Sequence, residues 1–211
     1  MQNQLKNEIR AILSGKSQVR HGTAIQAASS HLGHGTSTSP KSKISKQVRE
    51  QETKDLEGFI SQNNLWIYDL DFSNYVSEGA EQRVYLKDTD RVIKLNDAIY
   101  YSSWKDYFTN LLLHNFFFPD TSYELIGFTK ENGSLYATVQ QEFVTMTEPT
   151  DIEKVKSFLE SNGFLNTRNN DYFSSELGII LEDLHDENVL TRNGVLYFID
   201  TVFYLTEQFW E

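Results

Sequence analysis

Two aspartates and one asparagine near the end of the chain have the types and spacing that phosphoryl transfer requires. In 183-DLHDENVL-190, Asn188 follows Asp183 by five residues, and the later apolar segment 197-YFI-199 ends at Asp200. Carboxylate and amide oxygens are ligands of Mg²⁺, so Asn188 and Asp200 would hold the metal against nucleotide phosphates. Asp183 would accept the proton of an attacking hydroxyl. The alternative is an acidic turn in which Asn188 and Asp200 cap the backbone.

A lysine and a glycine upstream supply two further groups that phosphates can use. Lys94 lies in the strand-like segment 91-RVIKL-95, which follows the segment 77-SEGAEQRVYL-86 that contains Gly79. A lysine on such a strand can reach the α- and β-phosphates of a nucleotide, and a glycine lets the backbone approach them closely. The alternative is that Lys94 is an exposed strand residue opposite an inward-facing Ile93.

Hydrophobic spacing and turn residues predict the elements that must position these side chains. They predict two β-hairpins, over residues 80–95 and 122–144, and a helix over residues 99–118 that ends at Pro119. A second helix is predicted over residues 149–162. The segments 178–190 and 195–200 are predicted to form two short strands around a functional loop. We therefore expect an α+β fold in which a small antiparallel sheet packs on one aromatic helix. A hinge near residues 142–144 would lead to a smaller second lobe.

The N-terminal part of the chain differs from the rest in charge and in pattern. Residues 1–50 carry a net charge of +6, although the whole chain carries −11, so the remainder carries −17. A short helix with an apolar face is predicted over residues 5–13, and a polar helix is predicted over residues 45–61. Between them, the Ser-, Thr- and Gly-rich segment 21–43 is predicted to be a linker, or a loosely held helix with a flexible loop. We expect residues 1–64 to form a helical extension of the domain 65–211.

The charge distribution allows two interpretations of this basic arm. The arm either contacts nucleic acid or another acidic partner, or it lies on its own acidic body. The body itself would repel a phosphate backbone, so direct nucleic-acid binding is expected only of the arm.

Composition excludes several classes of protein. The chain of 211 residues is 39% hydrophobic and contains 14 Phe and 11 Tyr, so it can bury a core. It contains no Cys, which excludes a disulfide scaffold and thiolate zinc sites. No apolar run reaches the roughly 18 residues of a membrane span, and the N-terminus lacks the pattern of a secretory signal. We expect a cytoplasmic protein without membrane contact.

The motifs together resemble a known superfamily. The run 183-DLHDENVL-190 with 198-FID-200 is similar to the aminoglycoside-phosphotransferase and protein-kinase-like superfamily, in which D-L-H-x-x-N is followed by a strand-end Asp. The segments 78–86, 104–128 and 181–190 resemble more closely the kinase-like domain of polyvalent proteins of bacterial mobile elements. This resemblance covers about residues 65–211.

The resemblance implies a fold, two cofactors and a role for each residue. By similarity, Asp183 is the catalytic Asp, Asn188 and Asp200 are the metal ligands, and Lys94 is the nucleotide-phosphate lysine. Gly79 matches the middle glycine of the phosphate loop. ATP and Mg²⁺ are the implied cofactors. The implied fold is an abbreviated protein-kinase-like fold with an N-lobe at 65–144 and a truncated C-lobe at 145–211.

The chain departs from the pattern of this superfamily at several positions. Two of the three loop glycines are replaced, because residues 77–84 read S-E-G-A-E-Q-R-V. No Glu occupies the helix after Lys94, so Asp106 is the local candidate to orient that lysine, and Glu124 is its substitute. Asp106 lies about 200° around the helix from the core-facing Trp104, which counts against the pairing. Eleven residues follow Asp200, so acceptor recognition is expected to be minimal or supplied by a partner.

The leading hypothesis is an ATP- and Mg²⁺-dependent phosphotransferase with a protein acceptor, in which Lys94, Asp183, Asn188 and Asp200 converge on one cleft. The alternative is a catalytically degenerate kinase-like module, associated with mobile elements, that binds a nucleotide or a protein. A third hypothesis is an interaction protein that uses its basic arm. The apolar residues 202–210 would need a cover, and we expect part of residues 1–62 to provide it, in cis or on a second copy.

Overall fold

The structure is a computed structural model that describes residues 2–33, 46–71, 73–79 and 82–211. The helices in these residues are α1 (Gln2–Leu13), α2 (Gly22–His31), α3 (Lys46–Gln62), α4 (Trp104–Phe117), α5 (Ile152–Ser161) and α6 (Glu207–Trp210). The strands are β1 (Tyr75–Glu78), β2 (Gln82–Leu86), β3 (Arg91–Asn96), β4 (Glu124–Glu131), β5 (Ser134–Glu142), β6 (Leu165–Arg168), β7 (Asp171–Ser174), β8 (Ile179–Glu182), β9 (Val189–Arg192), β10 (Val195–Phe198) and β11 (Val202–Leu205). A 3-10 turn spans Pro119–Thr121.

The first half of the body is a five-stranded antiparallel sheet with α4 against it. Its strand order is β1-β2-β3-β5-β4, so β3, which carries Lys94, lies in the middle. Asn132 and Gly133 connect β4 to β5 with φ angles of 48° and 85°, the left-handed geometry of a two-residue hairpin turn. Ser103 begins α4 by accepting a hydrogen bond from the backbone N–H of Asp106. The predicted hairpins are confirmed, and the predicted aromatic helix is confirmed from Trp104, whereas residues 99–103 of that prediction are not helical.

The second half contains two smaller antiparallel sheets and α5. One sheet has the order β11-β8-β7-β6, and the other is the hairpin β9-β10. The sequence did not predict β1, the hairpin β6-β7 or β11. The described fold mixes helices with antiparallel sheets, so the predicted α+β class is confirmed.

The N-terminal helices pack on the body in cis. Ile12, Ile25 and Leu56, from α1, α2 and α3, are buried in one cluster with the aromatic residues of α4. The Arg10 guanidinium lies over the Phe209 ring at 5.5 Å and donates to the Phe209 carbonyl from Nε at 3.1 Å. The extension therefore covers part of segment 202–210, as expected. Helix α2 has five buried residues and is not loosely held, and the remainder of the predicted flexible segment falls mainly outside the described residues.

None of the helices in the described residues combines the length and the apolar character that a membrane span needs.

Candidate active site

A cleft of about 300 Å³ lies between the five-stranded sheet and the segment that contains Asn188 and Asp200. Lys94 reaches it from β3, and Gly79 lies at its edge, just after β1. The apolar side chains of Val84, Val92, Val144 and Leu190 line the same cleft. The structure therefore gathers four of the five predicted site residues at one opening: Gly79, Lys94, Asn188 and Asp200.

Strand pairing explains why residues distant in the sequence meet here. Val202 at the start of β11 pairs with Glu182 at the end of β8. The chain just after β8 and the chain just before β11 therefore lie at the same end of this sheet. Phe198 at the end of β10 pairs with Val189 at the start of β9. The backbone N–H of Ile199 then donates to the Asn188 carbonyl at 2.9 Å. Two strand pairs thus fix the separation of the 183–188 loop from Asp200.

Asn188 links the cleft to Asp183, the fifth predicted residue. The Nδ2 group of Asn188 donates to the Asp183 carbonyl at 2.9 Å and to its carboxylate at 2.8 Å. His185 lies beside both residues, with Nε2 at 3.3 Å from the Asp183 carboxylate and 3.1 Å from Asn188 Nδ2. Asp183 is exposed and holds a left-handed backbone conformation, with a φ of 67°. Left-handed backbone is uncommon for residues other than glycine, although Asp adopts it more readily than most.

Lys94 is buried, at 4% exposure, and is held by neutral groups. Its ammonium donates to the Ile199 carbonyl at 2.8 Å and lies 5.2 Å from the centre of the Tyr123 ring. Burial lowers the pKa of Lys94, and the nearby negative charge of Asp200 opposes that shift. The lysine is thus anchored one residue before the predicted metal ligand.

The structure does not pair Lys94 with Asp106. Asp106 is in the first turn of α4, where Ser103 hydrogen-bonds its carboxylate and Lys105 is its cationic neighbour. Burial raises the pKa of Asp106 to about 6. The residue of α4 that lies near Lys94 is instead His114, eight positions and about 12 Å further along the helix axis. Glu124, the other candidate to orient Lys94, instead accepts a hydrogen bond from the side-chain amide of Gln140, the residue opposite it in the pairing of β4 with β5.

His114 is completely buried and hydrogen-bonded at both ring nitrogens. Nε2 lies 2.9 Å from the Thr121 carbonyl, and Nδ1 lies 2.7 Å from the Thr201 hydroxyl. Burial, together with the charge of Lys94, lowers the pKa of His114 to about 3, although the hydrogen bond to Thr121 opposes this. The imidazole is therefore neutral at physiological pH.

Asp200 and Gly79 belong to opposite walls of the cleft. The Gln82 side-chain amide, at the start of β2, donates to one carboxylate oxygen of Asp200 and so bridges the walls. Gly79 donates its backbone N–H to the Gln82 carbonyl at 3.0 Å. In the part of the chain that the structure describes, no atom beyond its chain neighbours lies within 4 Å of a Cβ added to Gly79, so none of those contacts requires glycine there.

The donor set at the cleft fits a hard divalent cation. Within the described chain, Asn188 Oδ1 and one carboxylate oxygen of Asp200 accept no hydrogen bond, so both can face a metal. No group of three or more His, Cys, Asp or Glu residues suited to a metal occurs among the described residues. Two protein oxygens would therefore need phosphate oxygens and water to complete an octahedral Mg²⁺ shell.

Sequence reasoning missed several residues that complete the site: Gln82, His114, Thr121, Tyr123 and Thr201. Gln82 carried a weak signal, because it replaces a glycine of the resembled loop pattern. The others have no local signal, since their contacts join residues that are about 75 to 90 positions apart.

Comparison with known proteins assigns the family. The profile of the family described as "Serine/Threonine/Tyrosine Kinase found in polyvalent proteins" matches residues 49–207, which is more than half of the chain. Neither a curated protein nor a solved structure matches the chain significantly. The match begins inside α3 and contains all five predicted site residues. The chain belongs to the family of serine/threonine/tyrosine kinases found in polyvalent proteins.

Proposed function

We propose that the protein is an ATP- and Mg²⁺-dependent phosphotransferase that acts on a hydroxyl group of a protein acceptor. The observation that carries this proposal is the convergence of Lys94, Asn188 and Asp200 on one cleft, with Asp183 hydrogen-bonded to Asn188. Kinase family membership supports the reaction class. We further propose that the protein acts in the cytoplasm and is associated with mobile elements.

In this proposal, each residue performs one task. The base of the nucleotide packs between Val84, Val92 and Leu190, and Lys94 turns from the Ile199 carbonyl to the α- and β-phosphates. Asn188 and Asp200 would hold a Mg²⁺ ion, which would supply neutralisation of the phosphate charge.

Asp183 acts outside the cleft, on the acceptor side. Its carboxylate is more than half exposed, so an acceptor hydroxyl can reach it, and Asn188 holds the carboxylate in place. Asp183 takes the proton as that hydroxyl attacks the γ-phosphorus, the bond from this phosphorus to the bridging oxygen breaks, and ADP leaves. Positioning and charge compensation supply the rest of the rate increase.

The test is transfer of labelled γ-phosphate from ATP to a protein or to the chain itself, in parallel with ATP binding by calorimetry. We expect Asp200→Asn to abolish the Mg²⁺-dependent part of ATP binding. Asp183→Asn should keep that binding and lower transfer by about 10²–10⁴-fold, the usual contribution of a general base. Asp186→Asn, which removes an exposed carboxylate from the same loop, is the matched control and should retain transfer.

A catalytically inactive binding module is the second candidate, and the Gln82 contact favours it. A side chain that occupies a carboxylate oxygen of Asp200 competes with a metal for that oxygen. ATP binding without transfer to any acceptor would support a nucleotide-binding module. The absence of ATP binding would contradict the phosphotransferase and the nucleotide-binding module, and would leave a module that binds a protein. Contact of the basic arm with nucleic acid remains a separate proposal.

A further inference from the structure

The segment 198–203, which carries Asp200, is held by side chains from outside itself. Thr121 Oγ1 donates to the Phe198 carbonyl at 2.5 Å, and Tyr123 donates to the Ile199 carbonyl at 2.9 Å. On the other side of Asp200, the backbone N–H of Phe203 donates to Asn110 of α4 at 2.8 Å.

Asp200 itself has few bonds that fix its orientation. Its backbone N–H reaches the Asn188 carbonyl at 3.4 Å, beyond the usual hydrogen-bond range. Its carboxylate accepts from Gln82, which belongs to the opposite wall of the cleft. The direction of the Asp200 side chain therefore depends on how firmly its neighbours are held.

The residue directly after Asp200, Thr201, makes a contact through its side-chain hydroxyl. A backbone carbonyl can only accept, so the 2.9 Å contact between His114 Nε2 and the Thr121 carbonyl places the ring proton on Nε2. Nδ1 of the neutral ring is then an acceptor, and the Thr201 hydroxyl must donate to it across 2.7 Å. Both residues are almost fully buried, so water cannot replace either partner.

We propose that His114 and Thr201 form a positioning pair that fixes the backbone beside Asp200 and so aims its carboxylate at the metal. This inference rests on the proposed function. The pair occupies the part of α4 that lies near Lys94, where the described chain provides no helix carboxylate. Helix α4 thus contributes to the site through a neutral hydrogen bond to the metal-binding segment and leaves the charge of Lys94 for phosphate.

The test replaces Thr201 with Val, which keeps the side-chain volume and removes the donor. Thr201→Ser restores the donor, and His114→Gln removes the ring acceptor by an independent change. Thr206→Val is the matched control, because Thr206 Oγ1 donates to Gly178 at the far end of β11. For each variant, calorimetry measures ATP binding with Mg²⁺ and with EDTA, and hydrogen exchange is followed at the amides of residues 199–203.

We expect Thr201→Val and His114→Gln to weaken the Mg²⁺-dependent gain in ATP affinity by about tenfold, as is common for residues that orient metal ligands. ATP affinity in EDTA should stay the same, and amides 199–203 should exchange faster. Thr201→Ser and Thr206→Val should behave like the wild-type chain in both measurements.

Two outcomes would overturn the positioning role. Unchanged exchange at residues 199–203 in Thr201→Val would show that the pair does not hold the segment. Faster exchange with an unchanged Mg²⁺-dependent gain would show a purely structural contact. If the wild-type chain binds no ATP, the proposed function fails, and exchange alone then decides whether the pair fixes the backbone beside Asp200.

Discussion

Replacing Asp106 with Asn should change how the stability of the protein depends on pH. Asp106 is 8% exposed in the first turn of α4. Burial is the main reason that its pKa rises from 3.8 to about 6, and the hydrogen bond from Ser103 and the charge of Lys105 compensate only partly. A second carboxylate, Glu52 of α3, accepts from the backbone N–H of Trp104 nearby, and burial raises the pKa of Glu52 as well.

The expected size and direction follow from proton linkage. Each pKa unit of difference between the folded and unfolded chain is worth about 1.4 kcal/mol, so Asp106 changes the free energy of unfolding by about 3 kcal/mol. The folded chain binds this proton more tightly than the unfolded chain. The stabilisation is therefore complete below about pH 3.8 and is lost as the pH rises through about 6. Asn keeps the size of Asp and carries no charge at any pH.

Urea unfolding over a range of pH tests this prediction. The Asp106→Asn variant should match the wild-type chain near pH 4 and exceed its free energy of unfolding by about 3 kcal/mol near pH 8. Asp120→Asn removes an exposed carboxylate and should leave the pH profile unchanged. A stability difference that does not vary with pH would refute the reasoning, because it would mean that Asp106 is solvated or paired in the folded protein.

Three further predictions concern the core and the cleft. Thr138→Val should raise the free energy of unfolding, measured in urea, by about 1 kcal/mol, because the buried Thr138 hydroxyl has no hydrogen-bond partner among the described residues. A loss of stability would contradict this prediction. Ile25→Ala should lower that free energy by about 2–5 kcal/mol, since Ile25 is fully buried, whereas the exposed Ile99→Ala should change it little; equal effects would contradict the docking of α2. Gln82→Ala should tighten Mg²⁺-dependent ATP binding by up to about tenfold in calorimetry, because it frees an oxygen of Asp200; weaker binding would show that Gln82 holds the ligand instead.

The elements with strong local signals were predictable from the sequence. The Asn132–Gly133 turn defines the hairpin β4-β5, and the aromatic spacing defines α4. The hairpin β6-β7 was missed because its strands have only four residues each, and all four residues of β6 lack full burial. Such strands show no apolar alternation and form because β7 pairs with β8.

The predicted site residues could be identified from the sequence, but the residues that hold them in place could not. Asp183, Asn188 and Asp200 were identified by type and spacing, and the cleft brings Asn188 and Asp200 together. The residue of α4 that lies near Lys94 could not be identified from the sequence. Helix α4 is buried on nearly every side, so it has no polar stripe that reveals its orientation. Residues as polar as Asp106 and His114 are both buried in it.

The division into an extension at 1–64 and a domain at 65–211 stays a prediction. Contacts between these two parts of the chain show which elements of the domain the extension holds. Asn115 of α4 donates to the Arg20 carbonyl at 2.9 Å and to the Tyr123 carbonyl at 2.8 Å. Tyr123 in turn donates to the Ile199 carbonyl beside Asp200. Polar contacts therefore run from the extension through α4 to the segment 198–203 that carries Asp200.

The apolar contacts of the N-terminal helices are also made with α4. Helices α1, α2 and α3 bury apolar side chains against α4, the helix that holds segment 198–203 through Asn110 and His114. A helix that must offer hydrogen bonds on one side and apolar contacts on the others needs neighbours all around it, because an exposed apolar face would cost free energy in water. The extension supplies those neighbours, so its helices belong to the structure that positions Asp200.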